Sequence, residues 1–206
     1  MPSLTHINET FSTPFTAGAE SMMGGFGSQE PGSLLQDCVV LGQGVEWAWK
    51  LSDNVGSRLV RTKFLGGTER ALDMCRGSDV EATDCVFDSA LQRPATVSRF
   101  SLAKTCDIGV KAGAVLVLNN CVLSDVLIGD YSIYDNPVIG PRARVVLNNC
   151  RHPVVGQPII ARCLWGDVVV NGTKVLSIEV PAPATKLYFT FNRHFGDTRI
   201  GVPLAA

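Results

Sequence analysis

The chain has 206 residues, enough for one domain with a tail; 46% are hydrophobic, only 18% are charged, and the net charge is −1. With no long basic run, nothing points to a phosphate backbone, and Arg58, Arg61, Arg142 and Arg144 read as a solvated face. No run approaches the roughly 18 apolar residues of a membrane span, and Met1-Pro2-Ser3-Leu4-Thr5-His6 lacks the basic and apolar regions of a secretory leader.

Residues 1–33 read as an N-terminal arm or cap. Gly18, Gly24, Gly25, Gly27 and Gly32 sit among Ser, Thr and Glu, with scattered anchors such as Phe11, Phe15 and Met22-Met23. Such a composition closes no core of its own. The glycines at 24–27 lack the Lys-Ser/Thr of a phosphate loop.

From Leu34 the texture changes to short β-branched and apolar runs punctuated by turn residues, which predicts strands over residues 34–176. Within them a hexad recurs. Leu35-Gln36-Asp37-Cys38-Val39-Val40 matches Ala82-Thr83-Asp84-Cys85-Val86-Phe87, Leu118-Asn119-Asn120-Cys121-Val122-Leu123 and Leu147-Asn148-Asn149-Cys150-Arg151-His152. A degenerate copy, Leu59-Val60-Arg61-Thr62-Lys63-Phe64, puts Thr62 in the cysteine slot. The slots at 38, 62, 85, 121 and 150 are spaced by 24, 23, 36 and 29 residues. The short steps fit one turn of a coil with three strands and three bends. The long ones imply insertions near 88–96, which contains Pro94, and near 130–141.

The hexad has a physical cause. Neighbouring side chains of an extended chain alternate faces, so the apolar residue before Asn/Asp and the Cys after it cannot both point inward without a bend. The bend predicts a left-handed backbone at the Asn/Asp position, which those residues tolerate. Stacked about 4.8 Å apart, Asp37, Asp84, Asn120 and Asn149 are expected to form a ladder, with Cys38, Cys85, Cys121 and Cys150 as a column of small buried residues behind it. The seven cysteines are odd in number and include no C-x-x-C pair, so they predict buried free thiols rather than disulfides or zinc ligands.

The rungs around Asp84-Cys85-Val86-Phe87, preceded by Arg76-Gly77-Ser78-Asp79-Val80, and around Asn120-Cys121-Val122-Leu123 resemble those of pectin-lyase-like right-handed parallel β-helices. The resemblance implies an all-β fold of about six coils. A rival likeness, of Ile128-Gly129-Asp130-Tyr131-Ser132-Ile133 and Ile139-Gly140-Pro141-Arg142-Ala143-Arg144 to hexapeptide left-handed helices, has a spacing of 11, not a multiple of six. Residues 177–206 read as a capping or oligomerisation segment. After Pro181-Ala182-Pro183 comes an aromatic strand pattern, Lys186-Leu187-Tyr188-Phe189-Thr190-Phe191. Arm, coil and aromatic tail resemble the layout of trimeric phage spikes. That likeness implies a virion component, a homotrimer in contact with other virion proteins.

The alternative is a polysaccharide lyase or hydrolase, or a non-catalytic sugar-binding coil. Asp73, Arg76 and Asp79 are the candidate acids and base on an outward strand face, with Asp84 already committed to a bend. Trp47 and Trp49 share strand parity and are expected to face outward toward sugar or protein, as are Tyr188, Phe189 and Phe191. Cys150 and His152, two apart, are expected to share the interior; His6 and His194 lie far off in arm and tail. Asn171-Gly172 reads as a hairpin turn, and no cofactor or metal is expected.

Overall fold

Short runs of alternating burial, each ended by a residue that accepts a left-handed backbone, wind this chain into a stack of parallel strands. The computed structural model describes residues 5–12, 26–28, 31–43, 45, 47–51, 55–67, 69–75, 77–89, 106–130, 141–163 and 165–179. The first pass is β1 (Thr5–Ile7), β2 (Thr10–Ser12) and β3 (Phe26–Ser28); the second is β4 (Leu34–Gln36), β5 (Val39–Gly42) and β6 (Trp47–Leu51). Next come β7 (Val55–Val60), β8 (Lys63–Gly66) and β9 (Arg70–Met74), then β10 (Asp79–Thr83), β11 (Val86–Asp88) and β12 (Cys106–Lys111). Later passes have two strands each: β13 (Val115–Asn119) and β14 (Asp125–Asp130), β15 (Ala143–Asn148) and β16 (Ile159–Cys163), β17 (Gly166–Asn171) and β18 (Val175–Glu179).

Three parallel sheets result. The first runs β1-β4-β7-β10-β13-β15-β17, the second β11-β8-β5-β2, and the third β18-β16-β14-β12-β9-β6-β3. This is the arrangement of a parallel β-helix, all-β and without a helix among the described residues. Among the described residues, the second sheet continues past β11 as single bridges from Val86 to Val122 and from Val122 to Arg151. The strands begin earlier than expected. Residues 5–12 and 26–28, read from sequence as part of an arm, supply a strand to each sheet. Glycine-rich composition hid them, because three-residue strands leave almost no periodicity.

Inward side chains stack in register. Leu35, Leu59, Ala82, Leu118, Leu147 and Val170 form one row of the first sheet. Aromatic rings fill the N-terminal part of the core. Phe11 and Trp49 meet edge to face at 5.3 Å, Trp49 and Phe64 at 6.5 Å, and Phe64 stacks on Phe87 at 5.2 Å. Trp49 is only 2% exposed, which corrects the outward placement predicted for it. Its register sets it beside inward Leu72, between the rings of Phe11 and Phe64. Trp47 is half-buried, with the Lys50 ammonium 4.5 Å from its ring centre.

Every pass leaves the first sheet through one left-handed residue. Asn8, Asp37, Arg61, Asp84, Asn120, Asn149 and Gly172 have φ between 46° (Arg61) and 60° (Gly172). The last of these corrects the hairpin predicted at Asn171-Gly172. β17 and β18 lie in different sheets, and Gly172 is the corner next to Asn149. A Cβ there would meet Asn149 Oδ1, the tip of an exposed side chain, so glycine fits this corner most easily.

The predicted ladder is displaced by one residue. Asn148 Nδ2 donates to Asn119 Oδ1 at 2.8 Å and Asn171 Nδ2 to Asn148 Oδ1 at 2.7 Å, while Asn119 Nδ2 donates to Glu81 at 2.8 Å. Corner residues Asn120 and Asn149 are exposed. At the corners the one side-chain bridge between passes is Arg61 to Asp37, at 2.6 and 2.7 Å, which holds the Asp37 carboxyl below its ordinary range.

Behind the corner, Cys38, Cys85, Cys121 and Cys150 are buried with Thr62, but they are not merely small. Each slot donates to the carbonyl two residues earlier. Thr62 Oγ1 reaches Val60 O at 3.1 Å, Cys121 Sγ reaches Asn119 O at 3.4 Å, and Thr173 Oγ1 reaches Asn171 O at 3.2 Å. Most also reach a carbonyl of the preceding pass, such as Leu35 O for Thr62 and Leu147 O for Thr173. A buried donor is therefore the common property of Cys and Thr here.

Candidate functional site

Two regions of the coil concentrate unusual chemistry: the outer side of the third sheet and the C-terminal end of the stack.

On the third sheet, the strand pattern turns Leu72 and Met74 inward and Asp73 outward, as predicted for an exposed acid. Asp73 is nevertheless 0% exposed, so no polymer reaches it. Its Oδ1 pairs with the Arg70 guanidinium, itself buried, and Lys111 Nζ stands 3.9 Å from Oδ2. Gly109, beside Asp73 on β12, makes room for this pair, since a Cβ there would strike the Arg70 guanidinium. Outward parity thus does not mean solvent, and the acid assignment is corrected. Arg76 lies outside the described residues. Asp79 is exposed, but on β10 of the first sheet, so it shares no face with Asp73. Asp84 is an exposed corner.

Two further carboxylates escaped the sequence reading. Asp107 and Asp125 sit side by side near the starts of β12 and β14. Asp107 accepts hydrogen bonds from Ser89 N at 3.0 Å, Ser89 Oγ at 2.9 Å and Ser124 N. Asp125 accepts from Asp107 N at 2.8 Å and from Arg162 Nη2 at 2.7 Å. Burial, followed by the Asp125 charge, raises the Asp107 carboxyl above its ordinary value. Asp107 is buried and satisfied by three donors, so it stitches the second sheet to the third. The one available signal was an aspartate in the first or second place of two successive strands.

Cys121 and Cys150, in the column behind the corner, are chemically quiet. Cys121 is pushed up to about 12: a hydrogen bond from Cys150 lowers it, but the bond to Cys85 and burial together outweigh that. Cys150 is raised further still, by its bond to Cys121 and by burial. Thiols held protonated are poor nucleophiles. His152 does not share their interior, which corrects the expected pairing. Its ring lies on a surface turn, where Nδ1 receives Val154 N–H at 3.0 Å.

The two ends of the stack differ. At the N-terminal end, the inward place beside Leu35 belongs to His6, whose ring meets Phe11 edge to face at 5.1 Å and pairs with Glu9 at 3.0 Å. That end carries the His6–Phe11 ring pair with Glu9 beside it, both rings half-buried. At the other end the corresponding places belong to Val168 and Val170, and Val170 is 39% exposed although its row is otherwise core. Val169 and Leu176 are exposed beside it. Just before them the turn at 152–157 projects Val154 and Val155, the latter 98% exposed. That turn is tied down: Gln157 N donates to Val154 O at 3.2 Å and Lys174 Nζ to Gly156 O at 2.6 Å. Of the seven large hydrophobic residues exposed among those described, five fall between 154 and 176. Tyr188, Phe189 and Phe191, predicted as contacts, lie outside the described residues.

Among the described residues, no group of three His, Cys, Asp or Glu side chains is placed to hold a metal ion. No protein-family model matches the chain, and neither the curated proteins nor the solved structures contain a significant match.

Proposed function

We propose that this chain is a structural, assembly-forming subunit that works through the C-terminal end of its coil, in the manner of a decoration, spike or fibre protein of a bacteriophage particle. The supporting observation is the contrast between the ends: an N-terminal pass edged by His6, Glu9 and Phe11, and a C-terminal pass with exposed Val169, Val170 and Leu176. Soluble monomers seldom leave a cluster of this kind uncovered. Right-handed winding, the family likeness of the Asn/Asp-Cys rungs and a homo-oligomeric particle component belong to this same reading.

An enzymatic role on polysaccharide is the weaker reading, because Asp73 is sealed and salt-bridged and Asp79 stands on another sheet. The test is to purify virus particles from a producing culture and quantify this chain in them. Fixed stoichiometric copies support the proposal. Recovery only in the soluble fraction, or sugar release from a polysaccharide panel that Asp73→Asn abolishes, would overturn it.

A further inference from the structure

We infer that the partner at the C-terminal end is a second copy of this chain, joined edge to edge through β17 across a two-fold axis. The inference rests on the assembly reading above and adds its geometry.

Among the described residues β17 pairs on one side only, with β15. A free parallel edge is a template for further pairing unless proline, lysine, a bulge or a covering segment blocks it. The strand Gly166-Asp167-Val168-Val169-Val170-Asn171 contains neither proline nor lysine, and its register with β15 runs unbroken from Gly166 to Asn171.

The occupant follows from the chemistry of the two ends. A head-to-tail stack would press the exposed valines onto the His6–Glu9 pair and desolvate that pair for no matching contact. Ile7 is the one large hydrophobic residue exposed on β1, so the apolar surfaces match most fully when two C-terminal ends face each other. Such a contact is isologous, each copy presenting the same strand. With Val169 opposite its symmetry mate in an antiparallel pair, Val168 faces Val170 and Asp167 faces Asn171. No like charges meet, and the inward row that ends at Val170 in one copy continues into the other. An edge strand accepts one partner, so the symmetry is two-fold and not the three-fold of the spike layout.

The test is Val169→Cys in the full chain, with Val55→Cys as a comparison on an exposed strand near the other end. The column thiols are buried and the half-buried Cys75 and Cys163 are replaced by Ser in both variants, so mild oxidation reports on the introduced residue. A disulfide-linked dimer from Val169→Cys, and none from Val55→Cys at equal concentration, is expected. Light scattering on the unmodified chain runs alongside. If a dimer forms in solution but Val169→Cys does not cross-link, the two-fold edge contact is wrong while assembly stands. If the chain is monomeric and the introduced thiol is shielded from a small alkylating reagent, the chain's own remaining segments cover this end and both readings fall.

Discussion

Asn148 donates its side-chain amide to Asn119 Oδ1 at 2.8 Å and accepts from Asn171 Nδ2 at 2.7 Å, so one asparagine joins three successive passes of the first sheet. Each of the three stands one residue before a left-handed corner, on the strand, where it meets its like at the strand spacing. Asn148→Ala removes both bonds. At about 0.5–1.5 kcal/mol net for each hydrogen bond, the urea midpoint should fall by the equivalent of roughly 1–3 kcal/mol, with an unchanged slope.

The corner itself separates from the ladder by substitution. Gly172→Ala puts a Cβ on a left-handed backbone and against Asn149 Oδ1. Asn149→Gly, at φ 51°, removes strain of the order of 1 kcal/mol and clears that space. The expected order of melting temperatures is Asn149→Gly at or above the native chain, and Gly172→Ala clearly below it.

The slot behind the corner requires a donor. Thr62→Val keeps the shape but leaves Cys38 N without its acceptor and takes the hydroxyl donor from Leu35 O and from Val60 O, the latter still bonded to Asp37 N. The cost should be about 1–3 kcal/mol for the unsatisfied groups. Thr62→Cys restores the pattern of the other passes and should be tolerated far better; denaturant titration of the two variants decides it.

How much of this was legible beforehand can be traced residue by residue. The corners at Asp37, Asp84, Asn120 and Asn149 were readable because left-handed backbone selects Asn and Asp by local sterics alone. The ladder was not, because it depends on which of two adjacent polar residues faces its neighbour, and corner side chains point to solvent. Asn171-Gly172 suits a hairpin or a corner equally, and only the register of Val170 against Leu147 distinguishes them. Parity placed Asp73 outward correctly, but burial of an outer face is set by packing remote in sequence, so its removal from solvent was invisible. Trp47 and Trp49 show the same limit, since shared parity did not reveal which way that parity pointed.

The buried pair on the third sheet predicts a non-additive response. Arg70→Met alone leaves the Asp73 carboxylate buried beside Lys111 at 3.9 Å. Loss of one partner of a buried pair typically costs about 3–5 kcal/mol, whereas replacing both by apolar residues is often near neutral. The double variant Arg70→Met/Asp73→Leu should therefore recover most of the stability lost by Arg70→Met, as measured in a double-mutant cycle.

Alkaline pH should weaken the fold through the thiol column. Cys121 ionises at about 12 in the folded chain against an ordinary value of 9.0, and Cys150 is shifted the same way. The unfolded state therefore gives up these protons first. Their contribution is complete below pH 9 and is lost progressively from about pH 9 to pH 12. Cys121→Ser, which keeps a donor but does not ionise there, should flatten the loss of stability over that window.

Light scattering of the full chain across a wide concentration range, beside Val170→Lys, decides whether the C-terminal end mediates assembly. Assembly through the C-terminal end predicts that the native chain approaches twice 22.1 kDa, that is 44.2 kDa, or a larger particle, and that Val170→Lys returns it to 22.1 kDa with unchanged circular dichroism. A native chain that stays at 22.1 kDa at the highest concentration, or an oligomer indifferent to a charge at Val170, would contradict it.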